Sequence, residues 1–334
     1  MHYSFYLSAF LLLTALPGHA CENTLKLNVP SNDPDDLASA ELFESVVEDR
    51  TDGETCVELF PSSSLYESSD AVTALSNGLL ELSIVPTNQL HQFGDSMYLF
   101  QVPFLFRDSE ILHDFMMSES SAQVIEPLTE NGLVPITFWS EKPAQIYSDS
   151  PVTEARDLAR REVRVMNASG LESLSNSIGF STSAVGWKDL WSQFNIGQFS
   201  AFETTISSEQ VYGLAGREIS LTFTNHSYDA SFLIISRMIL DSMDDETREI
   251  VLDAGKLSGS DRKKRGCEKQ VSSLEEAQTN GMTIWFLSDD SYKNFRRIAS
   301  SGWDQLVNED VLSSVDAFCP ECAGTAPRPK PKCE

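Results

Sequence analysis

TLKLNVPSNDPDDLASAELFESVVEDRTDGETCVELFP, residues 24–61, decides the fold. Residues 24–30 alternate apolar and polar side chains, the period of a half-buried strand. Residues 35–50 then place Leu37, Ala40, Phe43 and Val47 at helical spacing, and residues 55–61 return to a strand pattern. The same order continues with a helix over 68–78, stopped by Gly78, and a third strand over 80–86. Repeated strand, helix, strand order predicts an α/β domain with a largely parallel sheet.

Further along, strands are expected over 133–140, 162–167 and 180–187, with a helix from Ser169 carrying Leu171, Leu174 and Ile178. A second α/β unit therefore begins near residue 141. From Asp244 a long helical pattern sets Ile250, Val251, Ala254 and Leu257 on one face, followed by a strand over 282–288 and a last helical stretch. The closing AGTAPRPKPKCE, rich in Pro and Lys, reads as a loose tail, tied down only if Cys333 is bridged.

At the other end, residues 1–20 contain an apolar run followed by Pro17-Gly18 and small residues before Cys21, the form of a removed export signal. Acylation of Cys21 is the alternative. The 6 cysteines all lie beyond that signal, as expected of a chain exported to an oxidising compartment. Cys21 and Cys56 adjoin the first two strands and are expected to pair; the rest of the connectivity stays open. The formal charge is −26, and such a surface repels phosphate backbones and anionic lipid, which argues against nucleic-acid and membrane-surface binding.

Signatures of the common hydrolase, metalloprotease, dinucleotide and phosphate-loop chemistries are absent from the sequence, so neither a cofactor nor a metal is expected. His91, His113 and His226 are too scattered for a metal site and read as surface or core residues. Cys319-Pro-Glu-Cys322 precedes a Pro-rich terminus instead of opening a helix, which favours a structural disulfide over a redox pair or half a zinc site. Arg164 is harder to place. Strand alternation sets it on the face opposite Val163 and Val165, where a half-exposed strand would leave it solvated. Alternatively it lies in a cleft at the strand's C-terminal end, where α/β sheets place ligands and a guanidinium can grip a carboxylate through parallel bonds.

Several segments in order resemble one family. LFPSSSL with ALSNGLLELSIVP, VPFLF at 102–106, ARDLARREVRVMN, the run SIGFSTSAVGWKDLWSQFNIGQFSAFETT, and TFTNHSYDASFLIIS are similar to stretches of the DctP-type substrate-binding proteins of tripartite ATP-independent periplasmic (TRAP) transporters. The similarity runs from about residue 24 to 305. It implies a two-lobed periplasmic-binding-protein fold, each lobe a mixed sheet flanked by helices, joined by a strand hinge and a long helix. The implied boundaries are 21–141 with 228–268 for lobe I, 142–227 with 269–318 for lobe II, and a tail over 319–334.

The resemblance also implies a monomeric periplasmic carrier that binds a small organic acid and delivers it to a TRAP membrane permease. It places Arg164 on the family's carboxylate-binding arginine and Asn167 on a ligand-contacting asparagine. Glu203 and Thr204 would bond polar groups of the ligand, Trp187 would form an apolar wall, and Pro86-Thr87 would contribute from the opposite lobe. Ala144 stands where the family often has a second arginine, with Lys142 nearby, and Thr204 replaces the usual asparagine. Arg160 replaces a turn glycine, and Ser200-Ala201-Phe202 departs from the family's Asp-Gly-Gln. Two other readings remain: a secreted enzyme using Asp189, Glu203 or the Cys319/Cys322 pair, and a sensory or scaffold protein that keeps the fold without transport.

Overall fold

The computed structural model describes residues 21–165, 170–206, 218–320, 324–328 and 333. The expected export signal lies outside these residues. The opening stretch folds as read: strand β1 (Asn23–Asn28), helix α1 (Pro34–Arg50) and strand β2 (Thr55–Phe60). The start of α1 is set by its chemistry. Asp33 accepts the Asp35 N–H, Pro34 opens the first turn, and Asp35 and Asp36 face the positive end of the helix dipole. Helix α2 (Ser68–Ser76) and strand β3 (Leu82–Pro86) complete the unit, and β1 pairs in parallel with both β2 and β3.

Strand β4 runs from Leu133 to Ser148, well past the expected end at 140. Its first part pairs antiparallel with β9 (Tyr228–Ser236) in the sheet of β1–β3. Its last part pairs with β7 (Ala201–Thr205) and β8 (Ser220–Phe223) in the other sheet. That second sheet adds β5 (Glu162–Val165), β6 (Ser181–Ala184) and β10 (Thr283–Phe286). One strand shared by two sheets makes a two-lobed molecule whose lobes meet at the β4–β9 crossing.

Directions follow from the pairing. Because β9 is antiparallel to β4 and β3 is antiparallel to β9, β3 runs toward the second lobe and ends at Pro86. Because β7 is antiparallel to β4 and β5 is parallel to β7, β5 and β7 run toward the first lobe. The C-terminal ends of the two sets of parallel strands therefore face one another, the position where α/β sheets bind ligands. The segment expected as a helix from Ser169 is a 3₁₀ run, Gly170–Leu174, followed by a short helix, Ser175–Ile178.

The helix Asp245–Thr279, begun by Asp244 capping the Thr247 N–H, spans both lobes and packs Val251 and Ala254 against Trp139, Leu233 and Ile235 and Leu274 and Ala277 against Tyr147, Phe202 and Phe223. Gly255 and Gly259, one turn apart, let it lie close to β4. A Cβ at Gly255 would overlap Ile136 and one at Gly259 would overlap Thr137. Gly259→Val is expected to destabilise the protein by about 1–3 kcal/mol in urea unfolding, overpacking outweighing the small gain in helix propensity.

Cys21 pairs with Cys56, tying β1 to β2 as expected, and a sulfur held in that bridge is not free for acylation. Cys333 pairs with Cys267 on the long helix, so the tail is anchored. Cys319 is also disulfide-bonded; Cys322 lies outside the described residues. No helix among the described residues is long and apolar enough to cross a membrane.

Candidate functional site

Arg164 sits next to last in β5, between Ser183 near the C-terminal end of β6 and Phe202 in the first part of β7. It is not solvated: only 5% of its surface is exposed. Its Nε donates to the Val185 carbonyl at 2.7 Å and its Nη1 to the Glu203 carbonyl at 3.0 Å. These two bonds use two of the five N–H groups and fix the guanidinium plane. One N–H on Nη1 and both on Nη2 have no acceptor among the described residues, and together they form an end-on fork matched to a carboxylate. Burial lowers the Arg164 pKa, and the nearby Glu203 carboxylate opposes that shift. A buried cation so placed gains from an anion brought to its open end.

Behind the arginine lies a chain of buried polar groups. The Glu203 side chain is fully buried and its Oε2 lies 2.9 Å from His226 Nε2. His226 Nδ1 is 2.8 Å from the Thr224 hydroxyl. Gln145, on the shared strand β4, accepts from the Thr224 and Asn225 backbone N–H groups and donates to the Asn225 side-chain oxygen at 2.7 Å. Buried polar groups cost stability unless bonded, and here each supplies the other's partner. The network therefore links β5, β7, the β8–β9 turn and β4 at the crossing.

The turn carries backbone strain at the same place. Asn225 has φ 48°, tolerable for asparagine, whereas Phe104 has φ 58°, unusual for a bulky residue. The Phe104 N–H donates to the His226 carbonyl at 2.8 Å, so the two positions support one another. Arg296 adds two bonds, from Nη1 to the carbonyls of Phe104 and Leu105. The VPFLF segment is thereby held against the hinge.

The structure places the other expected residues as follows. Thr204 follows Glu203 in β7 and is buried, and Ala144 is buried opposite Thr205. Pro86 ends β3 in the facing lobe and Thr87 opens the next 3₁₀ turn, also buried. Trp187 begins a 3₁₀ turn just after Val185, whose carbonyl anchors Arg164. Asn167 lies outside the described residues. Gln145 and Thr224 were not singled out by the sequence, and His226 was named there only as a surface or core residue, which its complete burial makes a core one; the polar cluster in TFTNHS, part of a segment with the family likeness, is the signal that bears on them. No group of His, Cys, Asp and Glu among the described residues is disposed to hold a metal.

Facing strand ends, a shared strand pair and a buried, half-satisfied arginine define a two-lobed solute-binding protein. The chain belongs to the bacterial extracellular solute-binding proteins, family 7 (DctP), which it matches over residues 27–310. It is 26% identical over 220 residues to a solute-binding protein of Sulfitobacter sp. strain NAS-14.1, covering 65% of this chain and 67% of that one. It is 23% identical over 210 residues to the C4-dicarboxylate-binding periplasmic protein DctP of Rhodobacter capsulatus, covering 62% of each. These alignments thus span just under two thirds to two thirds of the relatives' lengths. In fold it is similar to a TRAP periplasmic solute-binding protein of Ochrobactrum anthropi whose C terminus is bound in its ligand-binding pocket, with TM-score 0.81, 19% identity, and coverage of 90% of this chain and 95% of that one.

Proposed function

We propose that the protein captures a small organic acid in the periplasm and hands it to a TRAP-type membrane permease, acting as a carrier and not as an enzyme. The observation that carries this reading is Arg164, buried near the end of β5 with N–H groups on Nη1 and Nη2 that have no acceptor among the described residues. A relative that binds C4-dicarboxylates supports the same ligand chemistry. Arg164 clamps the carboxylate, with Asn167, Thr204, Trp187, Pro86 and Thr87 completing the pocket. Glu203 acts differently from a simple ligand contact: its carboxylate holds His226 and its carbonyl orients Arg164.

The lobes in this reading are 21–141 with 228–268, and 142–227 with 269–318, and residues 1–20 direct export. Closure bends β4, β9 and the long helix at the crossing, excluding water and strengthening the ion pair. A thermal-shift screen tests the ligand class. A carboxylic acid at 100 times its dissociation constant is expected to stabilise the protein by about 2.7 kcal/mol, while neutral analogues of the same size leave it unchanged. Stabilisation by neutral sugars alone would contradict the reading, and turnover of the bound compound would favour an enzyme.

A further inference from the structure

A second cavity, of about 560 Å³, lies against the long helix, and its lining among the described residues includes none of Arg164, Glu203, Thr204, Pro86 and Thr87. Its floor is the hinge itself: Lys142 of β4 and Asp229 of β9, cross-strand neighbours, both line it. Thr205 and Phe223 of the second lobe and the first turn of α1 in the first lobe close its sides. The anchored tail contributes Arg328 and the Cys267–Cys333 bridge.

The charge of this lining departs from that of the chain. Among the described residues it holds six Lys and Arg against five Asp and Glu, in a protein with 24 of the former and 50 of the latter. Which of these charges are already engaged matters more. Asp33 is taken by Lys142 at 3.4 Å and by the start of α1, and Asp108 by Arg107 at 2.9 Å and by the Ile111 N–H. Arg262 is spent on the buried Asp36. By contrast, Lys264, Lys269 and Arg328 have no ion-pair partner among the described residues, and the buried Gln270 Nε2 donor has no acceptor there. Burial raises the pKa of Asp229, with Lys142 opposing and Asp36 adding to the shift. Its side chain stays open to the cavity although protein surrounds it.

We propose that this cavity is a second binding site, for a small multivalent oxyanion held by Lys264, Lys269, Arg328 and the Gln270 amide. An occupant touches both lobes and both crossing strands, so its binding is coupled to closure of the cleft.

The test is calorimetric titration of the mature protein with sodium pyrophosphate and, separately, with citrate, which distinguishes a phosphate from a carboxylate ligand. The Lys264→Gln/Lys269→Gln/Arg328→Gln variant changes three exposed side chains and should fold normally. It is expected to bind the better probe at least roughly tenfold more weakly, whereas Arg164→Lys leaves that binding unchanged. Equal affinity in the triple variant, loss of binding in Arg164→Lys, or no saturable heat with either probe would each overturn the proposal.

Discussion

Arg164→Lys weakens binding of the organic acid by about 2–4 kcal/mol, roughly 30- to 1,000-fold, while the protein remains folded. The charge is kept, so a purely Coulombic site would tolerate the change. A single ammonium, however, cannot at once satisfy the Val185 and Glu203 carbonyls and present two parallel donors to a carboxylate. One buried carbonyl is left short of a partner, which lowers stability by about 1–3 kcal/mol in the absence of ligand. Isothermal titration beside urea unfolding separates the two effects. An affinity within a factor of about two of the wild type would remove Arg164 from the site, since a lost bidentate pair is worth far more.

Arg262→Ala has the largest expected effect on stability, a loss of about 3–5 kcal/mol in denaturant unfolding. Arg262 on the long helix and Asp36 in α1 form a pair that is nearly buried, 2.6 Å apart, and Asp36 also accepts from the Trp139 indole at 3.2 Å. Removing the arginine strands a carboxylate inside the first lobe. Replacing both members by apolar residues of similar volume should recover most of the loss.

The pH dependence has a definite sign. Burial by itself would raise the Asp36 pKa, but the charges of Arg262 and Lys142, with hydrogen bonds from Arg262 and Ser31, hold it below the ordinary 3.8. A carboxylate depressed in the folded state contributes stability above its unfolded pKa and loses it as pH falls through the folded value. In Arg262→Ala, burial acts unopposed by its main partner, and protonating Asp36 relieves the variant. The gap between wild type and variant is therefore expected to narrow as pH falls, first through the raised Asp36 pKa of the variant and further below about 4, where the wild type loses its own contribution. A gap independent of pH would point to lost packing instead of a lost ion pair.

Where the sequence was informative, a local rule matched what the fold required. β1, α1 and β2 were legible because apolar spacing, an Asp-Pro helix start and turn residues all agree. The sequence pattern ends β4 at 140, where a second unit was expected to begin; Lys142 instead crosses the hinge as part of the strand, paired to Asp33 and lining a cavity. β7 went unread because Glu203 interrupts AFETT, and nothing local announces that His226, 23 residues on, will bury and pair with it.

Arg164 shows the same limit. Strand alternation left the choice between solvent and cleft open, and the answer depended on β6 and β7 flanking it and on the Val185 and Glu203 carbonyls that receive its N–H groups, which the order of residues does not reveal. The tail bridge was equally hidden: Cys267 on the long helix and Cys333 in the tail are separated by 66 residues, whereas Cys21 lies just before β1 and Cys56 in β2, strands that any β-α-β unit would bring together. Local periodicity thus gave the elements, and long-range pairing decided which polar residues they bury.

A crystal structure of the protein with the organic acid that gives the largest thermal shift tests the central claim most directly. The expected result is closed lobes and a ligand carboxylate about 2.7–2.9 Å from Arg164 Nη1 and Nη2, accepting one bond from each. A ligand seated between the lobes with its carboxylate away from Arg164, or bound with its carboxylate in solvent, would contradict it.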